Sequence, residues 1–294
     1  MLLSRFSVLF TVALSAAGWA SSQTVVYDSE GHITVASLAE PTAKPKKLTE
    51  GVDPAISPDG KTVAFTQNDA EGNRRIATVD VATGKVTVVS GIPGKNEFMP
   101  RWSADGKELF FSHFDESDWS FAKVNATGGG FAVVVEKSVR QVAAASPLPD
   151  GKRWICHDLD GFYLLTLGDD GKPSFTDLPQ VKTESGLSMP SQIAVSADGA
   201  FAIIQLDMDE EVPGGDGPLS ALHRLEIKTG ELTRLTPKGV FAHGPSLLPG
   251  GKEILFGGFD QKTDEPVVYR MPLDGSSAPL RLWTKAMNPS VSAR

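Results

Sequence analysis

The chain has 294 residues, 40% of them hydrophobic, which is ample for a full core. Its formal charge of -8 argues against a nucleic-acid partner, because neutralising phosphates needs clustered Lys and Arg. Cys156 is the single cysteine, so no intramolecular disulfide exists and the core alone must hold the fold together.

The N-terminus reads as an export signal over residues 1–22. Arg5 supplies the positive region, Phe6 to Ala17 the apolar stretch, and small residues follow, with cleavage after Ala20 or Ser22. The apolar run is shorter than the ~20 residues needed to cross a bilayer. No other segment is apolar enough to span, so no stable membrane insertion is expected. Residues 23–294 are then the mature domain, in a periplasm or outside the cell.

A turn motif recurs along that domain. Ser57-Pro-Asp-Gly-Lys61 is its clearest copy. Ser103-Ala-Asp-Gly-Lys107, Leu148-Pro-Asp-Gly-Lys152, Ser196-Ala-Asp-Gly199 and Leu248-Pro-Gly-Gly-Lys252 follow at intervals of about 45 to 52 residues, the period of a propeller blade. Within the first copy, Pro54 to Ser57 reads as a short inner strand. Pro58 to Lys61 turn the chain, since Pro pre-sets φ and Gly accepts a positive one. Thr62 to Thr66 form the second strand, Arg75 to Val81 an alternating third, and Val86 to Val89 the outer fourth. The later copies keep this order.

The two ends complete a sixth unit. Thr24-Val-Val-Tyr27 aligns with a second strand, Ile33 to Leu38 with a third, and Lys46 to Thr49 with a fourth. Asn288-Pro-Ser-Val-Ser292 aligns with the inner strand Asp53-Pro-Ala-Ile-Ser57. The predicted fold is all-β: a six-bladed propeller of four-stranded antiparallel blades, closed by one C-terminal and three N-terminal strands. Closure of this kind removes open sheet edges. The complementary ends are those expected of an entire ring.

Ser-Pro-Asp-Gly-Lys followed by an apolar strand resembles the repeats of TolB-type β-propellers, over roughly Thr24 to Ser292. Related blades occur in the propellers of prolyl oligopeptidases. The resemblance implies the propeller without the α/β domain that precedes it in TolB. It implies no hydrolase domain either, and no Gly-x-Ser-x-Gly nucleophile elbow is present. Blades of this type serve many functions, so the site must be argued separately.

Topology places the loops between second and third strands on one rim. They carry Asp28, Asp69, Asp115, Glu116, Asp118, Asp158, Asp209, Glu210, Glu211, Asp216 and Asp260, with Lys262 as the central counter-charge. Such a rim would attract basic segments. The stretch Asp207 to Pro218 reads as the longest acidic loop. Its Asp207, Asp209, Glu210 and Asp216 offer oxygen ligands to Ca²⁺, but the spacing is not that of an EF-hand. No cofactor is expected. His113, His157 and His243 point to the same rim from three different blades, as separate polar residues rather than one metal site. Phe98, Met99, Trp102, Phe114 and Trp119 read mostly as inter-blade core, with Trp119 or Phe114 as an exposed anchor. The turn aspartates Asp59, Asp105, Asp150 and Asp198 are explained by turn chemistry.

The sequence therefore points to a monomeric, non-enzymatic module that binds a protein or peptide, basic in character, on the acidic rim. The expected contacts are Asp115, Asp118, Trp119, Asp209, Glu210, Glu211 and His243. The alternative is a carbohydrate-active lyase or hydrolase with its site in the central funnel, although no convergent acid, base or metal set is visible.

Overall fold

The structure is a computed structural model, and it describes residues 23–115, 118–158, 160–178, 192–211, 218–260 and 262–292. The expected signal peptide, Glu116 and Asp216 lie outside the described residues. The chain opens with β1 (Thr24–Ser29), β2 (His32–Ser37) and β3 (Lys46–Glu50). Blade one follows as β4 (Val52–Ile56), β5 (Thr62–Asn68), β6 (Arg74–Asp80) and β7 (Val86–Val88). Blade two is β8 (Glu97–Trp102), β9 (Glu108–Asp115), β10 (Asp118–Asn125) and β11 (Ala132–Val135). Blade three is β12 (Ala144–Pro147), β13 (Arg153–His157), β14 (Phe162–Leu167) and β15 (Pro173–Asp177). Blade four is β16 (Ala194–Val195), β17 (Phe201–Glu211), β18 (Pro218–Glu226) and β19 (Leu232–Arg234). Blade five is β20 (His243–Leu247), β21 (Glu253–Phe259), β22 (Pro266–Pro272) and β23 (Leu280–Thr284), and β24 (Met287–Val291) ends the chain.

These strands make six four-stranded sheets, all antiparallel meanders. The sixth has the order β24-β1-β2-β3, with Val25 opposite Val291 and Val26 opposite Ser290. The inner strands β24, β4, β8, β12, β16 and β20 touch one another in that order and β20 returns to β24. The ring is closed by its two termini, as the terminal repeats predicted.

Strand alternation explains how the blades stack. In β5, Val63 and Phe65 pack with Val26 and Ile33 of the sixth blade. Ala64, between them, faces Leu109, Phe111 and Ala122 of blade two. The same two-faced arrangement gives each of the six blade interfaces its own apolar cluster. Burying one such Phe or Ile side chain contributes about 1.5–3 kcal/mol.

The inner strands are also joined by hydrogen bonds. Ile56 N donates to Ser290 Oγ at 3.1 Å, Val291 N to Ser246 Oγ at 3.2 Å, and Ser146 Oγ to Ile193 O at 2.6 Å. Trp102 Nε1 donates to Ala55 O at 2.8 Å. Each bond links one blade to the next. The three serines stand at equivalent positions, two residues before the turn motif's first residue.

The recurrent turns behave as their chemistry demands. Gly60, Gly106, Gly151 and Gly199 have φ between 68° and 74°. Asp59 Oδ1 accepts from Ser57 Oγ at 2.7 Å and Lys61 N at 3.1 Å, and Asp105 and Asp198 repeat the pattern. The Ser103 hydroxyl and the Lys107 amide hold Asp105 down at about 2. These carboxylates stabilise turns.

Candidate functional site

Four inner strands begin alike. Asp53, Met99, Gly244 and Asn288 each precede a proline, and their φ values are 56°, 56°, 56° and 49°. Each lies at a break in register between the inner and second strands of its blade. A left-handed residue other than glycine costs on the order of 1–3 kcal/mol, and a bulge re-aims side chains. Here the combination gathers polar groups at the rim end of the propeller axis.

Asp28, at the end of β1, is central to that group. Its Oδ2 accepts from Asn288 Nδ2 at 2.7 Å and from Asp53 N at 3.3 Å. Its Oδ1 is buried without a partner. Desolvation, reinforced by the Asp53 carboxylate, pushes the Asp28 carboxyl up to about 7. Asp53 Oδ2 accepts from Thr66 Oγ1 at 3.1 Å, and the same hydroxyl accepts from Met99 N at 3.2 Å. Three consecutive blades of the ring are thus tied together around one pair of carboxylates.

Arg101 supplies the opposing charge. Its Nη1 donates to Pro100 O at 2.8 Å and its Nη2 to Gln192 Oε1 at 3.4 Å. Gln192 Nε2 in turn donates to Pro289 O at 3.4 Å. Arg101, Gln192 and Pro289 belong to blades two, four and six, which are not neighbours. These bonds therefore cross the axis and bridge the channel. Loss of hydration lowers the Arg101 pKa, against the attraction of Asp53 and Asp28. Beside the bridge, a pocket lined by Met99, Arg101, Phe110, Phe121, Ala144 and Gln192 has a volume of about 10 Å³, room for about one water.

Around this mouth the rim carries aromatic side chains. Phe98 meets Trp119 edge-on at 4.8 Å, and Phe114 lies 4.9 Å from Trp119. All three rings are half-buried. The Arg74 guanidinium stands 4.9 Å over Phe98 and 5.6 Å over Trp119, and its Nε donates to Asn96 Oδ1. In blade five, Phe241 lies 5.6 Å from His243 and 5.3 Å from Phe259, again half-buried.

The expected contact residues do not form one patch. Trp119 joins the blade-two aromatic cluster, and Asp115 pairs in register with Asp118 at the end of that hairpin. His243 lies at the opposite side of the mouth, its Nε2 3.3 Å from Met287 Sδ. It keeps some exposure, but the surrounding protein desolvates it and lowers its pKa to about 4, so it is neutral at physiological pH. Asp209, Glu210 and Glu211 lie on β17, not in a loop, because β17 and β18 continue as a long ladder in which Asp207 pairs with Ser220. Asp207 is buried and accepts from Ser220 Oγ at 2.7 Å. Glu210 is held by the Arg234 guanidinium and by Gly239 N, and its pKa is lowered chiefly by Arg234. Asp209 is exposed.

Two further expectations need correction. His113 and His157 are not polar rim residues, since both are buried. His113 Nδ1 sits 3.7 Å from Glu97 Oε1 inside blade two, and Glu97 is itself fully buried. The rim is not of a single sign either. Arg140 pairs with Asp158 at 2.9 Å and Asp177 at 2.7 Å, Arg281 with Asp260 at 2.5 Å, and Lys285 with Glu30 at 2.8 Å. These cations come from outer strands and blade connections, which bend over the rim. Among the described residues no group of three His, Cys, Asp or Glu could hold a metal ion.

Sequence reasoning missed Arg101, Gln192 and Asn288. A signal existed. The position four residues before the turn motif reads Asp53, Met99, Ala144, Gln192, Gly244 and Asn288 across the six blades, and two residues further on Arg101 replaces a small residue.

No protein-family profile matches the chain. It is 23% identical over 222 residues to the "Uncharacterized peptidase YuxL" of Bacillus subtilis (strain 168), covering 72% of this chain and 30% of that protein. The chain therefore spans under a third of that relative's length. Among solved structures it is similar to TolB from Acinetobacter baumannii, with a TM-score of 0.70 and 20% identity over 92% of this chain and 67% of the other. It is also similar to a chain of the nidogen/laminin complex, with a TM-score of 0.65 and 14% identity over 92% of this chain and 98% of that one. At these identities the likeness shows the fold alone, and that fold is the six-bladed propeller of TolB structures.

Proposed function

We propose that the protein is an exported, non-enzymatic binding module that takes a protein or peptide segment on the rim where the axial mouth opens. The carrying observation is the blade-two cluster of Phe98, Phe114 and Trp119. Its rings are partly exposed at the mouth of a bridged channel, and large aromatics in such settings dominate interface energies. The propellers it resembles include a chain from a protein–protein complex, which supports the same reading. A basic partner fits best, because Asp28 and Asp53 face a single axial Arg101.

The test is retention of proteins from envelope and culture-supernatant extracts on the immobilised wild-type protein and on Trp119→Ala. The expected result is a defined protein retained by wild type, weakened about tenfold or more by the substitution, and released as salt rises. An identical retained set on both baits, or none on either, would refute the reading.

A further inference from the structure

The aromatic groups on the rim are related by the symmetry of the ring. Phe98 pairs with Ser112, two residues before Phe114, and His243 pairs with Gly257, two residues before Phe259. Phe98 and His243 are therefore equivalent residues, as are Phe114 and Phe259. Blades two and five stand diametrically opposite in a ring of six. In blade one the same two positions hold Val52 and Asn68, and in blade six Met287 and Glu30. Among the described residues, only the opposed blades place an aromatic ring at both.

Between the two clusters lie Asp53 of blade one and Asp28 and Asn288 of blade six. One oxygen of Asp28 has no hydrogen-bond partner. Two residues along the inner strand from Asp53's equivalent, the Arg101–Gln192–Pro289 bridge spans the axis. This bridge favours an occupant that lies across the mouth over one that threads through it.

We infer that the mouth is a two-anchor cleft for an extended peptide segment bearing a large apolar side chain at each end and a Lys or Arg between them. One apolar side chain rests on Phe114 and Trp119, the other on Phe241 and Phe259, and the cation sits over the Asp28–Asp53 pair. This rests on the proposed binding function and specifies its ligand. Asp53 and a half-ionised Asp28 together outweigh the one guanidinium, and a cation over the pair would draw Asp28 toward its ionised form. The separation of the anchors by the whole mouth selects an extended chain, since a compact side chain cannot reach both. Arg74 already lies on the Phe98 and Trp119 faces, so this surface accepts a cation next to an apolar group.

The test is selection of random nonapeptides displayed on phage against the unmodified protein. Enriched sequences are then synthesised and their affinities measured for wild type, Phe114→Leu, Phe259→Leu and Asp53→Asn. Leu keeps most of the packing volume, so these variants should stay folded, and a thermal melt checks it. The expected result is enrichment of two large apolar residues flanking a Lys or Arg. Each Leu variant should weaken binding about tenfold, and Asp53→Asn should remove the preference for the cation. Peptides that depend on Phe114 but are indifferent to Phe259 and Asp53 would overturn the two-anchor inference while leaving the rim as a binding face. No enriched peptide, or binding in a glycan array that Phe259→Leu abolishes, would overturn both.

Discussion

Asp28 offers a quantitative test of the axial site. Burial lifts its carboxyl from an ordinary 3.8 to about 7. A rise of that size corresponds to about 4 kcal/mol of penalty for the ionised form, as an upper bound. The folded protein therefore holds the Asp28 proton more tightly than the unfolded chain does. Below about pH 4 both states are protonated and the group costs nothing. Between about pH 4 and 7 the unfolded chain ionises first, so stability falls as pH rises, and above about 7 the full penalty is present. The substitution Asp28→Asn removes this dependence. The new amide oxygen can still accept from Asn288 Nδ2 and Asp53 N, which serve Asp28 Oδ2 in the wild type. Urea or thermal unfolding of both proteins from pH 4 to 8 should show near-equal stability at pH 4. At pH 8 the Asp28→Asn variant should be the more stable by up to about 4 kcal/mol, or roughly 8 °C in Tm for a chain of this size. Carboxylates whose pKa is lowered, such as Glu210 and Asp260, contribute the opposite slope to both proteins and cancel in the difference. A stability difference that is constant from pH 4 to 8 would refute the argument.

Two further outcomes follow from the fold. Truncation after Met287 removes the Val25–Val291 and Val26–Ser290 pairings, the Asn288–Asp28 bond, the Ile56 N–Ser290 Oγ bond and the Val291 N–Ser246 Oγ bond. Each such bond contributes about 1 kcal/mol, and the deletion also uncovers the edge of β1, so a lower, broader melt is expected; an unchanged Tm would count against closure by the termini. Cys156 is fully buried among Phe110, Trp154 and Tyr163, and burial pushes its thiol pKa up. It should react with a thiol reagent only in denaturant, and rapid labelling of the folded protein would show that blades two and three open readily.

The fold is legible in the sequence because its information is periodic. One turn needs Pro, Asp and Gly at fixed offsets, and the second strands read as continuous apolar runs because both of their faces are covered, as at Val63, Ala64 and Phe65. Even the split sixth blade shows in Asn288-Pro289 matching Asp53-Pro54. The site is less legible because it departs from the period. Arg101 stands where other blades keep a small residue, and Gln192 bonds across the axis to blades it does not adjoin. Nothing local announces such a contact. Rim charge is hidden for a similar reason. Counting Asp and Glu in the loops omits Arg140, Arg234 and Arg281, which reach the rim from outer strands and connections far along the chain. The acidic stretch after Asp207 reads as a loop because Gly and Pro follow it, yet the hairpin ladder persists to Glu211–Pro218.

The bridge across the channel decides how the rest of the face can work. A propeller with an open tunnel could admit a ligand from either rim. Here the Arg101–Gln192–Pro289 chain spans the axis, and a pocket beside it accommodates about one water. The bridge also accounts for the arrangement of charge. A guanidinium placed on the axis must be compensated, and Asp53 and Asp28 lie close enough to favour its charged form. They in turn are held by Thr66, Asn288 and strained X-Pro backbone at Asp53 and Asn288. Strain and a half-ionised carboxyl are costly in a structure built for stability alone. Their concentration at one end of the axis, between two opposed aromatic clusters, sets this rim apart from the other. There the turn aspartates are satisfied by their own turns, and Lys107 and Lys152 pair with Asp105 and Asp169.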